Sequence, residues 1–458
     1  MMAFSNPAIG ALRQRGVTLI ELMVAMVLGL LVAAGIVTVF ASTSNSNKAQ
    51  NQLARLQEEG RYAITRLGTD LRMANGQYCN NTGGVAQPGV SGGLALDHLR
   101  SPKVYAVNLI NGVGATSDGL ADVTTAWGAG SYPVKPTASY SMPSFLFMRG
   151  YDCTAAACTP ADPSVAGLPA MGLAEGDRVK GADVVTVRYV NPTSGWTVGT
   201  VGGSSLTTDP STAQVQAFTL VKGANEPPIT NFRNGDLAML ADCSGAQIFA
   251  GTYASATGVF TLSTATTDNF ADGYPVAQQP ASAPKLFDVN RDFQTVTYYL
   301  QVVSVNNDGN APFTGALRRR VNGGDVSRGG SDEELVRGME RLDFRYGVED
   351  SSGNTSFLSA TEVDASTDCP PSEVTPITTT GCLWRGVKSI EVSALMDGQV
   401  PLYTLAPSDL QYSYSADNLI TTLAAPSAHD IKPSDQGFVD PMLRREFNAL
   451  IAVRNYNP

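Results

Sequence analysis

One acidic residue, Glu21, stands at the start of a long apolar stretch near the N-terminus. Residues 22–40 carry no charged side chain, and Gly16 precedes Glu21 by five residues. A carboxylate beside a membrane-like segment is costly unless a cation neutralises it. The sequence therefore indicates a functional carboxylate that binds a positive charge.

The apolar stretch is long enough to cross a membrane. A helix rises about 1.5 Å per residue and the hydrocarbon core of a bilayer is about 30 Å thick, whereas cleavable secretory signals have shorter apolar regions. Arg13 and Arg15 precede the stretch, and basic residues stay on the cytoplasmic side. We expect one membrane-spanning helix, with the body of the chain outside the cytoplasm.

The helix is expected to continue beyond the membrane. No proline occurs between Pro7 and Pro88, so nothing forces it to stop. Apolar residues then recur at three- and four-residue steps, and Asn75-Gly76 is a helix-stop pair. We predict a membrane half at 17–40 and an amphipathic half at 41–75.

Small residues mark one face of the membrane half. Ala25, Gly29 and Ala33 are spaced four apart, and small side chains let a second membrane helix approach closely. The same spacing also arises by chance in an apolar helix. Both interpretations stay open.

The sequence offers little for catalysis. The pattern GxSxG occurs at residues 89–93, with Ser91 in the nucleophile position, but a hydrolase of this type needs a preceding strand, a following helix and a later acid and histidine. The histidines are His98 and His429 alone. We predict no enzymatic activity, no cofactor and no metal, with a membrane-anchored hydrolase or adhesin as the alternative class.

Charge also restricts the function. The 458 residues carry a net charge of −10, and 16% of them are charged, below the roughly 25% of an average soluble protein. Nucleic-acid binding needs a concentrated basic field, so no direct nucleic-acid partner is expected. We interpret the small basic clusters at residues 318–320 and 444–445 as solvated or intersubunit residues.

The six cysteines are an even number in an extracytoplasmic region, where disulfides are favoured. Fifteen pairings are possible. Local closure favours Cys153–Cys158 and Cys369–Cys382, which leaves Cys79 with Cys243. A zinc site is the alternative, but the chain has no CxxC pattern and no histidine near these cysteines.

The rest of the chain has β-type patterns. Residues 76–180 are predicted to be a loop-rich insertion region, and residues 181–458 a β-rich globular domain. The strongest hairpin signal joins 295–305 to 313–321 through a polar Asn/Gly turn. Further strands are predicted at 103–109, 144–148, 183–190, 217–221, 236–241, 247–253, 259–262, 335–346 and 386–396.

The stretch from Arg15 to Ala25, RGVTLIELMVA, resembles the class III leader of type IV pilins and type II secretion pseudopilins. In that family a prepilin peptidase cuts after the glycine, and the new N-terminus is methylated. The resemblance implies cleavage between Gly16 and Val17 and N-methylation of Val17, where the family usually has phenylalanine. It also implies that Glu21 neutralises the N-terminal amine of a neighbouring subunit.

Two C-terminal regions extend the resemblance. Residues 334–347, ELVRGMERLDFRYG, resemble a segment shared by PilW-type minor pilins and J-type minor pseudopilins, and residues 384–392 resemble the strand that follows it. The ending at 443–455 resembles that of the pilus-side proteins, and J-type pseudopilins are much shorter. The chain thus resembles a PilW-type minor pilin, with a J-type pseudopilin of type II secretion as the alternative.

The resemblance implies a structural role. Such a minor pilin primes or caps type IV pilus assembly, with twitching motility, adhesion or DNA uptake as downstream roles. Its partners would be other minor pilins, the major pilin, the prepilin peptidase and the inner-membrane assembly platform. It would lie in the inner membrane with its C-terminal domain in the periplasm, and then at the pilus tip or base.

The implied fold is α+β and pilin-like. After a cleaved leader at residues 1–16, one long N-terminal helix would pack on a large antiparallel β-rich extracytoplasmic domain with long loops.

Overall fold

A computed structural model describes most of the chain: residues 16–78, 86–88, 94–96, 101–110, 119–124, 127, 134–199, 203–243, 245–277, 284–350, 352–368, 381–417 and 422–454. The predictions for Arg13, Arg15, Cys79, Ser91, His98 and Cys369 lie outside these residues. The chain divides into two compact units, one up to Leu53 and one from Ala54 onward.

The long N-terminal helix is confirmed as α1, Leu19–Leu71. In the second unit its apolar stripe is buried, with Leu56, Leu67 and Leu71 each at most 1% exposed. Burying a leucine side chain stabilises the fold by about 1.5–3 kcal/mol, so this face holds the helix on the domain.

The helix ends four residues before the predicted stop. After Leu71 the hydrogen bonds tighten to three-residue steps, such as the N–H of Gly76 donating to the carbonyl of Met73 at 3.0 Å. Asn75 takes a left-handed φ of 63°, and its N–H donates to the carbonyl of Arg188 at 3.1 Å. Asn75 and Gly76 therefore end the turn that follows α1, whereas the helix itself ends at Leu71.

Two short helices, α2 (Val289–Asp292) and α3 (Ala360–Ala365), and many strands follow α1. In chain order the described strands are β1 Ala86–Pro88, β2 Leu94–Leu96, β3 Lys103–Val104, β4 Tyr140–Ser141, β5 Met148–Cys153, β6 Cys158–Thr159, β7 Met171–Gly172, β8 Arg178–Val179, β9 Val184–Val190, β10 Trp196–Thr197, β11 Ser205–Thr208, β12 Val215–Thr219, β13 Leu237–Ala241, β14 Ala246–Ala254, β15 Val259–Leu262, β16 Lys285–Asp288, β17 Phe293–Ser304, β18 Phe313–Val321, β19 Ser331–Arg337, β20 Met339–Glu349, β21 Thr355–Leu358, β22 Val387–Asp397 and β23 Arg444–Ala452.

These strands form three main sheets in the described residues. The lobe sheet has the order β10-β16-β13-β14-β15-β12-β11, with β3 and β4 attached beside β14. The central sheet has the order β19-β18-β17-β9-β5-β6, with β7 and β8 attached. The C-terminal sheet has the order β21-β20-β22-β23. The molecule is α+β, with a long helix followed by a large β-rich domain.

The predicted hairpin is the middle of the central sheet. Strands β17 and β18 pair antiparallel from Val296 opposite Val321 to Ser304 opposite Phe313. Strand β9 pairs with the other side of β17, although residues 191–292 separate the two along the chain. That intervening segment supplies most of the lobe sheet. The chain therefore leaves the central sheet after β9, forms most of the lobe sheet, and returns to the central sheet at β17, beside β9.

The lobe sheet has a core of its own. Its buried side chains include Trp196, Phe218, Phe249 and Phe260. The rings of Phe218 and Phe249 stack with centroids 5.9 Å apart, an arrangement that stabilises beyond the buried area alone. The main core joins the α1 stripe to the central and C-terminal sheets.

The prediction of one strand at 335–346 is wrong. The chain forms β19 in the central sheet and β20 in the C-terminal sheet, with Gly338 between them. Gly338 has a φ of 83°, and a Cβ there would lie 2.8 Å from the carbonyl oxygen of Asp397. Only glycine fits such a position without strain, so this residue moves the chain from one sheet to the next.

Two strand predictions in the 76–180 region also need correction. Residues Ser144–Leu146 form a 3-10 helix that follows Pro143, and the strand begins only at Met148. The N–H of Leu146 donates to the carbonyl of Pro143 at 3.1 Å, so the backbone is satisfied locally. The strand predicted at 103–109 is confined to β3, although Ala106 makes an isolated bridge to Asn269.

Candidate functional site

The predicted cleavage junction lies at the start of the described chain. Gly16 and Val17 are exposed and non-helical, and α1 begins two residues later. A Cβ placed on Gly16 would meet no atom within 4 Å. The described residues thus leave the Gly16–Val17 bond open to an enzyme.

Glu21 lies in the first turn of α1 and has a partner within the chain. Its carboxylate accepts hydrogen bonds from the backbone N–H and from the hydroxyl of Thr18, both at 2.9 Å. The N–H of Glu21 donates to the Thr18 hydroxyl oxygen at 3.3 Å. These reciprocal bonds are a capping box, which satisfies N–H groups that a helix start otherwise leaves unpaired.

Sequence reasoning missed Thr18. The signal was available, because a threonine three residues before a glutamate at the head of an apolar run is the pattern of a capping box. The carboxylate therefore meets backbone and hydroxyl donors in the single chain, and any cation from another subunit would have to compete with them.

The apolar half of α1 is exposed along its whole described length. Large side chains from Leu22 to Phe40 are 53–74% exposed. The segment also meets the length and composition expected of a membrane-spanning helix. A Cβ on Gly29 would meet no atom within 4 Å, so the predicted face of Ala25, Gly29 and Ala33 is open to another helix or to lipid.

The second half of α1 sits against β23 through two glycines. A Cβ on Gly60 would come within 2.5 Å of the Phe447 ring, whereas a Cβ on Gly68 would lie 3.7 Å from the Cδ1 atom of Ile451. Glycine at position 60 therefore allows an approach that any larger residue would obstruct.

A buried carboxylate fastens the end of α1 to the central sheet. Asp70 accepts hydrogen bonds from the hydroxyls of Tyr189 at 2.8 Å and Tyr298 at 2.6 Å, and from Nε of Arg319 at 2.6 Å. Burial by itself raises the pKa of Asp70, but the hydrogen bond and charge of Arg319, with the two hydroxyls, lower it below its ordinary value. Asp70 is thus an ionised anchor for the helix.

The cysteine predictions are answered in part. Cys153 and Cys158 form a disulfide with an S–S distance of 2.09 Å, which confirms that pair. Nη1 of Arg178 lies 3.4 Å from Sγ of Cys158, and its Nη2 donates to Asp162 at 3.0 Å. Cys243 and Cys382 are also disulfide-bonded. The pairings Cys79–Cys243 and Cys369–Cys382 stay predictions, because one cysteine of each lies outside the described residues.

The remaining histidine of interest is structural. His429 is buried, its ring stacks on Tyr412 with centroids 3.9 Å apart, and its Nδ1 is 2.7 Å from Oδ2 of Asp417. Its Nε2 is 3.1 Å from the carbonyl oxygen of Tyr412. Among the residues that the structure describes, no group of three His, Cys, Asp or Glu side chains is placed to hold a metal ion.

The arginines at residues 318–320 and 444–445 are predicted to be solvated or to contact another subunit. This prediction is wrong for four of the five. Arg318, Arg319 and Arg320 form ion pairs with Asp332, Asp70 and Asp122, at 2.9, 2.6 and 3.6 Å. Arg444 makes a fully buried pair with Glu340 at 2.6 Å. Alternation along a strand shows which residues share a face, but it does not show which acid lies opposite them across the sheet.

Two known protein-family models match the chain, one near its N-terminus and one in its C-terminal part. The Prokaryotic N-terminal methylation motif matches residues 12–37, which include the junction, Glu21 and most of the exposed apolar helix. The family described as Type IV Pilus-assembly protein W, or PilW, matches residues 297–455, which run from within β17 to just beyond β23. No curated protein and no solved structure matches the chain.

These matches agree with the geometry at both ends. A prepilin-type leader followed by an exposed apolar helix is a single-pass inner-membrane anchor for a large C-terminal domain that associates with the pilus. The family concerns pilus assembly and is not known for enzymes. The methylation motif and the PilW domain together match a PilW-type minor pilin and support the involvement of this protein in type IV pilus assembly.

Proposed function

We propose that this protein is a structural minor pilin that primes or caps the type IV pilus. The observation that carries the proposal is the exposed apolar helix from Leu22 to Phe40, most of which lies within a prepilin-type motif and which precedes a PilW domain. So large an apolar surface needs lipid or partner helices around it. In the membrane it would be surrounded by lipid, and in the filament by the helices of other pilins.

Removal of the leader would allow the apolar helix to pass from the lipid bilayer into the filament. A prepilin peptidase would cut the exposed bond between Gly16 and Val17, and Val17 would then be N-methylated. Its amine would carry a positive charge close to the carboxylates of neighbouring subunits. Glu21 would exchange its Thr18 partners for such an amine, since in a low-dielectric surrounding a carboxylate is held more strongly by an ammonium group than by neutral N–H and O–H donors.

Assembly would then be guided by the helix and by the domain. The face of Ala25, Gly29 and Ala33 would let a partner helix approach closely. The partners would be other minor pilins, the major pilin and the inner-membrane assembly platform. Residues 1–16 would be the leader, 17–75 the helical part, 76–180 an insertion region and 181–458 the globular pilin domain. Adhesion, twitching motility and DNA uptake would be consequences of pili rather than activities of this chain.

The test is to express the full chain with and without a prepilin peptidase and to sequence the mature N-terminus by mass spectrometry. We expect a chain that begins at N-methylated Val17 only when the peptidase is present. An intact leader in the presence of an active peptidase would refute the processing step.

A deletion strain tests the priming role. Loss of the gene should reduce surface pili by at least tenfold while the major pilin accumulates in the membrane, because filament nucleation fails before elongation. Normal pili with a defect in protein secretion instead would favour the pseudopilin alternative.

A further inference from the structure

Most arginines in the described part of this protein bind other groups of the same chain. In the described part of the chain, nearly every arginine side chain makes a hydrogen bond or an ion pair within the molecule, as do Arg149, Arg178 and Arg341 with Asp364, Asp162 and Asp417. Within that same part, the arginines that make neither are Arg61, Arg66, Arg72, Arg445 and Arg454. All but the half-buried Arg66 are exposed.

These exceptions lie on two neighbouring elements. Arg61 belongs to α1 and Arg72 directly follows its last residue, while Arg445 lies on β23 and Arg454 just after it. The two elements are in contact, because Gly60 packs against Phe447. At the other end, the N–H of Arg454 donates to the carbonyl of Arg72 at 3.0 Å. We call Arg61, Arg72, Arg445 and Arg454 the arginine face.

Few acidic residues of α1 are left to balance the charge of this face. Along this part of α1, Glu59 is already paired with Arg55 at 2.8 Å and Asp70 is buried against Arg319, so Glu58 is the exposed acid that remains. Although the chain has a net charge of −10, the exposed arginines of its described part that lack a side-chain partner thus lie on or next to two contacting elements, α1 and β23. Scattered surface cations would serve solubility equally well, so their concentration points to a partner of opposite charge.

The composition of the face fits a protein partner. Arginine presents a planar fork that binds a carboxylate through two parallel hydrogen bonds. Tyr62, next to Arg61, is 51% exposed, and arginine with tyrosine is the typical composition of the energetically important part of protein interfaces. Binding to nucleic acid requires many phosphate contacts and a strong basic field, which four arginines on an acidic chain do not provide.

We propose that the arginine face docks on an acidic surface of a neighbouring pilin subunit in the priming complex. The proposal rests on the proposed function, because it names the chemistry of the partner contact in that assembly. The exposed arginines steer the acidic partner and set its register along α1, while the apolar helices provide the non-specific part of the association.

The test uses the full chain as the only copy in a piliated bacterium, with a photo-crosslinking amino acid at exposed Thr65, between Arg61 and Arg72. We expect an adduct with another pilin, joined at a peptide that contains Asp or Glu. The double change Arg61→Glu with Arg72→Glu should lower the adduct yield roughly tenfold or more, because like charges at an interface repel strongly. Reversing the acid in the captured peptide to Lys should restore it.

Lys222→Glu is the matched control, because Lys222 is an exposed cation on the lobe sheet side and should leave the yield unchanged. The Arg61→Ala with Arg72→Ala variant, with an unfolding temperature equal to that of the unchanged protein, shows that a lower yield is not due to misfolding. An adduct that survives the charge reversal, that is nuclease-sensitive or that contains lipid would overturn the proposal. Pili that persist after deletion of the whole gene would instead refute the proposed function.

Discussion

Two carboxylates on the same helix, Glu21 and Asp70, have different roles because one is exposed and the other is buried. Glu21 stands at the exposed helix start, where its carboxylate accepts hydrogen bonds from Thr18. Asp70 is buried at the other end and accepts hydrogen bonds from two tyrosines and an arginine. The first can change its partner, whereas the second cannot do so without unfolding the contact between the helix and the sheet.

Removing the charge of Glu21 should separate processing from assembly. We expect Glu21→Ala to be cleaved normally but to enter pili roughly tenfold less or worse, because an amine buried without a counter-charge costs several kcal/mol. Immunoblots of membrane and sheared-pilus fractions measure the two steps.

Glu21→Gln is the informative companion variant. Glutamine can retain the capping box but carries no charge, so it should fail like alanine. If Glu21→Gln assembles normally, the carboxylate serves to cap its own helix and charge neutralisation is not its role.

Asp70→Asn should destabilise the domain in a pH-dependent manner. At pH 7 the change leaves Arg319 in a largely buried position without its main counter-charge, which costs about 3 kcal/mol. Because the pKa of Asp70 in the folded protein lies below its ordinary value of 3.8, its stabilising contribution is present above that value. It is lost as the pH falls through the folded pKa, and the two proteins should then become equal.

Urea unfolding of the detergent-solubilised chain at pH 7 and at a series of values below pH 3.8 measures how this difference decreases. The control is Glu58→Gln, an exposed acid of the same helix, which should change the free energy of unfolding by less than about 0.5 kcal/mol. Equal stability of Asp70→Asn and the unchanged protein at pH 7 would show that Asp70 is not an anchor.

At the scale of elements, the contact between α1 and β23 depends on the size of residue 60. Alanine is favoured over glycine inside a helix by about 1 kcal/mol, so Gly68→Ala, whose new methyl group would lie 3.7 Å from Ile451, should stabilise the domain by roughly that amount. Gly60→Ala gains the same propensity but presses on the Phe447 ring, and overpacking costs about 1–3 kcal/mol.

The two alanine variants should therefore differ in thermal unfolding, with Gly60→Ala the less stable. Circular dichroism at a single protein concentration suffices for the comparison. A Gly60→Ala protein as stable as Gly68→Ala would mean that the Phe447 ring moves aside at little cost.

At the scale of the whole molecule, the family match and the rest of the structure cover different parts. Residues 297–455 contain most of β17, the whole of β18 and β19 in the central sheet, and the whole C-terminal sheet. The lobe sheet, which is built mainly from residues 196–288, lies outside that match and has its own aromatic core. This lobe and the central-sheet strands β5 to β9 are therefore parts of the β-rich domain that the family match does not cover.

Disulfide mapping tests how the remaining cysteines connect these parts. Digestion under non-reducing conditions should yield the peptide pair with Cys153 and Cys158, and we predict the pairs Cys79–Cys243 and Cys369–Cys382. A peptide that links Cys243 to Cys382 would contradict both predicted pairings. Such bridges would stabilise loop segments by about 2–4 kcal/mol each, chiefly by restricting the unfolded chain.

The sequence by itself determined the features that depend on local composition. The apolar run after Glu21, the buried stripe of α1, the hairpin of β17 and β18 and the short Cys153–Cys158 loop all follow from periodicity and spacing within a few residues. The family resemblance could be seen for the same reason, since its motifs are contiguous stretches.

Only the tertiary structure decided which distant groups meet. Nothing local shows that Asp70 faces Arg319, that Arg444 is buried against Glu340, or that Gly338 transfers the chain between two sheets. Each of these depends on partners far away in the sequence, brought together by sheet register and burial. The exposed arginine face of α1 and β23 became visible only after the internal arginine pairs had been assigned, because exposure is a property of the folded chain.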